Sequence, residues 1–212
     1  RHKSFIPWDD DIDIGMPIGD LEIFKHHAPK LLNKRFELDL KTGRKIRSTY
    51  AKLRHKNSRF YDQLSSSTNE VGGIYIDIFP YTKSPPRNFI FSFLIWVLLT
   101  SHFLKYERQG DYNTKEFIKF KILSIFEPIA KPLYLMFSNN HWIALPPIDN
   151  GTCKIFKYDE VYPLSQIEFD GVWYNAPASI STYLKIHYGA DYMTLPPVEK
   201  RTFHAHKIEI YD

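Results

Sequence analysis

The sequence predicts an α+β domain, a mixed β-sheet with helices flanking it. Three observations lead there. Strand-like and helix-like periodicities alternate through residues 1–80. Two short acidic stretches carry isoleucines at every second position, as a strand with two distinct faces requires. The 212 residues are 43% hydrophobic and 16% aromatic, enough to fill one substantial core without demanding several. A single domain over residues 1–212 is therefore expected, with residues 85–137 inserted in it as a helical segment.

Residues 5–14 read as a strand that ends at Gly15 and Pro17. Leu21, Phe24, Ala28, Leu31 and Leu32 then recur at helical spacing. Residues 36–40 and 48–55 read as strands, with Thr42-Gly43 as a turn between them. The clearest strand is 73–79, where Ile74, Ile76 and Ile78 fall on one face and Tyr75, Asp77 and Phe79 on the other. Residues 89–104 are nearly all apolar, and residues 117–137 mix apolar side chains with Lys119, Lys121 and Glu127, so two helices are expected. A spanning helix needs roughly 20 apolar residues. The first stretch is shorter and is interrupted by Ser92, Thr100, Ser101 and His102, which favours a buried helix. Docking on the inner leaflet through Phe89, Phe91, Phe93 and Trp96, flanked by Arg87 and Lys105, is the alternative.

Cys153 has no partner in the chain, so no internal disulfide forms and a reducing compartment is the default. A cytoplasmic location follows, with peripheral contact at the inner face of the membrane as the open option. The chain begins at Arg1 without an initiator methionine, so the natural start is expected upstream. The 28 basic and 24 acidic residues leave a formal charge of +4, which suits a phosphate-bearing ligand or an anionic membrane surface. No basic run is interleaved with stacking aromatics, which argues against nucleic acid as a partner.

Pro7-Trp8-Asp9-Asp10-Asp11-Ile12-Asp13-Ile14-Gly15 is the most informative stretch. On a strand, Asp9, Asp11 and Asp13 share one face while Ile12 and Ile14 anchor the other in the core. Carboxylates two residues apart repel unless a cation lies between them. A hard divalent ion with oxygen ligands is the natural solution, and Mg2+ typically takes one or two carboxylates plus substrate phosphates. Asp77, flanked by Ile76 and Ile78, is the third carboxylate expected at the same cation. Two acids on one strand and a third on a neighbour form the scaffold of nucleotidyltransferase-like folds, where positioning and charge neutralisation do most of the work of phosphoryl transfer. Asp11, Asp13 and Asp77 are thus the candidate metal ligands. Asp77 and Asp9 are the two candidates for a general base.

Four motifs in order make a resemblance specific. Residues 1–16 resemble the signature of the LicD family, which includes bacterial cholinephosphotransferases and is related to fukutin and fukutin-related protein. Tyr50-Ala51-Lys52-Leu53-Arg54 resembles the family's basic strand and residues 73–80 its second acidic strand. Tyr188-Gly189, Asp191-Tyr192, Leu195-Pro196-Pro197, Lys200-Arg201 and His204 resemble its C-terminal block. The resemblance implies Mg2+ and a CDP-linked donor such as CDP-choline. It also implies transfer of the phosphate-linked headgroup to a glycan or glycolipid hydroxyl, with release of CMP. Lys52 and Arg54, on one face of their strand, and Arg201 and His204, in the C-terminal block, would then hold the donor diphosphate.

Two other readings stay open. A true nucleotidyltransferase would pass on the nucleotide itself, and a non-catalytic scaffold would bind calcium structurally. The aligned Lys52, Arg54 and Arg201 count against the second, since a structural cation site has no use for them.

Overall fold

The computed structural model of the chain describes residues 3–9, 11–39, 50–62, 72–88, 90, 93, 114–145, 153–201 and 205–211. Along them run β1 (Asp13–Pro17), α1 (Ile18–Leu31), β2 (Phe36–Asp39), β3 (Ala51–His55), β4 (Ser58–Asp62) and β5 (Tyr75–Ser84). Then follow α2 (Thr114–Phe137), β6 (Asn139–Leu145), β7 (Lys154–Lys157) and α3 (Tyr158–Val161). β8 (Ser165–Phe169), β9 (Val172–Ala176), α4 (Ile180–Tyr188) and β10 (Ala205–Ile210) complete the order, with a 3-10 turn at Val198–Lys200. The main sheet has the order β2-β3-β5-β6-β7, and β1 pairs with β5 as well. That β1–β5 pair is parallel and the others are antiparallel. β4 with β10 and β8 with β9 form separate ribbons. The mixed sheet with flanking helices that the sequence predicts is present.

The acidic stretch enters the sheet later than its alternation suggests. Pro7 and Trp8 lie in a turn, closed by the Asp9 N–H donating to Ile6 O at 2.9 Å, so Asp9 stands before the strand rather than in it. Asp11 and Ile12 are extended, and the ladder begins at Asp13. Ile12 and Ile14 do not anchor the core, being 39% and 41% exposed. The reason is coverage: α1 starts at Ile18 and seats Leu21 and Phe24 over Met16, Ile78 and Ala51, and leaves Ile12 and Ile14 outside that cluster.

Gly15 and Pro17, expected to end the strand, belong to it. Gly15 is in register with Phe79, and a Cβ there would run into the ring of Tyr81. That ring is fixed in the core and its hydroxyl is 2.9 Å from that of Tyr183. Pro17 then serves as the N-cap of α1.

β5 extends five residues past the expected end, through Pro80. The Asp77 N–H donates to Ile12 O at 3.0 Å, so odd positions of β5 bond toward β1. The donor that Pro80 lacks would face the other way, where pairing with β3 has stopped at Ala51 opposite Ile78.

Both faces of β5 are packed, whereas the sequence suggested only the isoleucine face. Ile78 joins Leu21 and Ala51 under α1. On the Asp77 face, Phe79 and Tyr81 meet Ile143, Leu145, Phe156 and Val161, with Tyr183 and Ile186 of α4 laid against them. Aromatic residues dominate this second core: the Phe156 and Tyr183 rings stack at 4.7 Å.

The second expected helix is observed as α2. Residues 89–104 fall outside the described residues except for Ile90 and Phe93, both exposed, and Thr42-Gly43 falls outside them too. Among the described residues no helix is long and apolar enough to cross a membrane. After Pro196-Pro197 the chain makes a single 3-10 turn.

The glycines of the first motif differ in what surrounds them. Gly15→Ala forces a methyl into the Tyr81 ring and should destabilise the protein by about 1–3 kcal/mol. Gly19, on α1, has nothing within 4 Å of the position an added methyl would take, so Gly19→Ala should be neutral or stabilising by up to about 1 kcal/mol. Urea midpoints of the two variants should move in different directions, and equal shifts would refute the packing described for Tyr81.

Candidate functional site

One transverse row of residues crosses four strands. Asp13 of β1 is opposite Asp77 of β5, Asp77 is opposite Lys52 of β3, and Lys52 is opposite Asp39 of β2. Residues in register leave the same face of a sheet, so the row brings three carboxylates and one ammonium to one side. The next row on that face holds Arg54 and Tyr75. Packing by Phe79, Tyr81, Tyr183 and Phe156 closes the face beyond Asp77, while Asp13 stays exposed at the open end.

Asp77 is buried, at 8% exposure, beside the Lys52 ammonium. Lys52 Nζ lies 2.8 Å from Oδ1 and 3.0 Å from Oδ2, but its hydrogen bond goes to Oδ2. Oδ1 is buried and accepts no hydrogen bond. Burial raises the Asp77 pKa against the pull of Lys52, and the negative charge of Asp11 raises it further. Burial also lowers that of Lys52 against the pull of Asp77. Both partners of a close ion pair are thus pushed toward neutrality, so each would gain from a further charged ligand. Lys52 also lies 3.4 Å above the Tyr75 ring centroid and 5.7 Å from that of Tyr50, which supports its charge within the cleft.

The remaining residues singled out from the sequence fall in different places. Arg54 Nε donates to Asp39 Oδ2 at 2.7 Å and its Nη1 to Gly73 O at 3.2 Å, with Gly72 closed against the guanidinium. It shares the face of Lys52 but is tied to β2 and to the start of β5. Arg201 comes to the acidic motif from the far end of the chain. Its guanidinium sits 4.2 Å from the Trp8 ring centroid, and its Nε donates to Pro196 O at 2.9 Å. Asp9 lies on the exposed turn next to that tryptophan. Asp11 is half-buried and close enough for its charge to act on both Asp77 and Lys52. His204 lies outside the described residues. Among the described residues, no three His, Cys, Asp or Glu side chains are gathered tightly enough to cage a metal ion by themselves.

The pairing of two acidic strands with a basic one is what a family of enzymes would share, and the family model for "LicD/FKTN/FKRP, nucleotidyltransferase domain" matches residues 1–146. The chain belongs to this family. No curated protein and no solved structure matches it. Membership in the LicD family implies phosphotransferase- or nucleotidyltransferase-like activity of the kind that modifies surface glycans. The match contains Asp9, Asp11, Asp13, Lys52, Arg54 and Asp77, while Arg201 and the rest of the C-terminal block lie beyond it.

Sequence reasoning passed over several neighbours. Tyr75 shares the parity of Asp77, and that signal could have placed it at the site. Asp39 gave none, and Trp8 and Tyr188 stood inside the first and last motifs without being given a role. Tyr188, in the last turn of α4, has its hydroxyl pKa pushed up to about 12, first by loss of contact with bulk water and then by the charges of Asp13, Asp9 and Asp11, although 69% of the residue's surface is exposed.

Removing the ammonium should expose the cost of burying Asp77. Lys52→Met leaves that carboxylate without its counter-ion and should destabilise the protein by about 3–5 kcal/mol at neutral pH. A raised folded-state pKa contributes stability in full below the ordinary value of 3.8, and this contribution is lost as pH rises through the folded value. The deficit of the variant against the parent should therefore shrink on acidification toward 3.8. Denaturant titrations across that range check it, and a deficit independent of pH would contradict the assignment.

Proposed function

We propose that this chain is a phosphotransferase that moves a phosphate-linked headgroup, phosphocholine being one such group, from a CDP conjugate to a sugar hydroxyl of a cell-surface glycan or glycolipid, releasing CMP. The observation that carries the reading is the row Asp13, Asp77, Lys52, with the Asp77 carboxylate buried beside the Lys52 ammonium. Like charges set side by side at Asp13 and Asp77, and a carboxylate withdrawn from water, are costs that a substrate-borne cation would reduce.

The donor set fits Mg2+ in its usual mode of one or two carboxylates with substrate phosphates and waters completing the shell. Asp13 and Asp77, with Asp11 near them, would hold it. The ion would supply charge neutralisation at the diphosphate. Lys52 would turn part of its charge to the same phosphates, and Arg54 would add to the positive field from the next row. Arg201 would hold Trp8 and with it the acidic turn. The acceptor oxygen attacks the phosphorus bearing the headgroup, the bond to the CMP phosphate breaks, and CMP leaves with the electron pair. The hydroxyl proton passes to a carboxylate. Asp77 and Asp9, the latter on the exposed turn, are the two candidates for that carboxylate.

The family's description as a nucleotidyltransferase domain favours a second reading, in which the nucleotide itself is transferred. Products separate the two. Incubation with a panel of CDP conjugates and Mg2+ should release CMP together with a headgroup phosphodiester on the acceptor. A nucleotide-linked acceptor would establish the second reading instead. Asp11→Asn and Asp13→Asn should each lower turnover by roughly a hundredfold or more while the fold persists. Near-normal turnover of either variant at saturating Mg2+ would remove that residue from the site.

A further inference from the structure

Helix α2 presents apolar residues on two opposite sides. Leu123 and Ala130 are buried. Tyr134, on their side of the helix, packs against Ala144 and Ile155 and donates its hydroxyl to Lys83 O at 2.7 Å. This side faces the sheet. Ile118, Ile122, Ile125, Ile129 and Met136 recur at helical spacing on the far side, each between 51% and 71% exposed. Phe126, at the edge of the stripe, is also exposed. Single exposed apolar residues are ordinary, but a continuous stripe along a helix of 24 residues, about 36 Å long, marks a surface meant to be covered.

The charges around the stripe indicate what covers it. Lys121 is exposed on one flank of the stripe, and Lys131, also exposed, lies further round on that same side toward the sheet. The acid whose side chain is described on α2, Glu127, lies between Leu123 and Ala130 on the sheet-facing side and is half-buried. An apolar face with exposed lysines along one side of the helix, and with the described acid on the sheet-facing side, matches an anionic lipid surface. A second copy of the chain would set the same lysine-bearing side against itself.

We propose that α2 docks in the plane of an anionic bilayer, with Ile118, Ile122, Ile125, Ile129 and Met136 entering the boundary between headgroups and acyl chains. Tyr134 fixes the helix beside Lys83. Asp77 is on the same strand, about 20 Å away at the rise of a β-strand. Docking would thus hold the acidic row within reach of a polar group projecting from the membrane.

Flotation of the full chain with vesicles tests this. It should float with phosphatidylcholine mixed with phosphatidylglycerol and much less with phosphatidylcholine alone. Ile125→Glu/Ile129→Glu should weaken the partition by about tenfold or more, with its melting temperature unchanged. Lys121→Glu/Lys131→Glu should abolish the preference for phosphatidylglycerol. Phe126→Trp should give an emission blue shift on adding the mixed vesicles. A parent chain that stays in the supernatant overturns the proposal. So does a dimer, seen by light scattering, that the Ile125→Glu/Ile129→Glu variant dissolves. A marked fall in melting temperature for that variant overturns it as well, because the stripe would then be covered by the chain itself.

Discussion

Asp77 is held out of water between two other strands, and the surrounding sheet is arranged around that carboxylate. A charge removed from water must be met by partners in fixed positions, or the group neutralises. Lys52 meets it from one side, braced over Tyr75, and Arg54 and Asp39 form the adjoining pair. A slip of one residue between β3 and β5 would turn Asp77 into the Leu21 cluster and Ile78 into the charged row. The charges therefore fix the register, and the register is what aligns Asp13 with Asp77.

The match to the LicD family supplies this row but not all that surrounds it. Tyr183 and Tyr188 come from α4 and Arg201 from beyond the 3-10 turn, all past residue 146, where the match ends. Tyr183 closes the aromatic core against Tyr81, and Arg201 lies on Trp8 of the first acidic motif. The C-terminal part thus packs against the acidic motif and the aromatic core from outside the matched region.

Strand parity was readable wherever both alternation and composition agreed. In β5 it correctly separated Ile78 from Asp77, because β-branched residues and a charge cannot exchange faces there. It misled in the acidic stretch, where the alternation already runs through Asp9, Asp11 and Ile12, before the strand begins at Asp13. What ends the pattern is the turn at Pro7 and Trp8 together with the late start of α1, and neither is a matter of periodicity. The aromatic packing on the Asp77 face was hidden for a different reason. Phe156, Tyr183 and Ile186 belong to elements distant in the chain, and nothing in their local sequence says which face they will cover. The same holds for Asp39 as the partner of Arg54, since the pairing of β2 with β3 across their connection decides it.

The parallel pairing of β1 with β5 has a kinetic consequence. β2, β3 and α1 all lie between these strands in sequence, so their association closes a long loop whose entropy must be met before any contact rewards it. The antiparallel neighbours β2 and β3 are closer in sequence and have less to lose. Asp13 and Asp77 should accordingly come together late in folding. A nascent or partly folded chain carries both aspartates without yet holding them side by side.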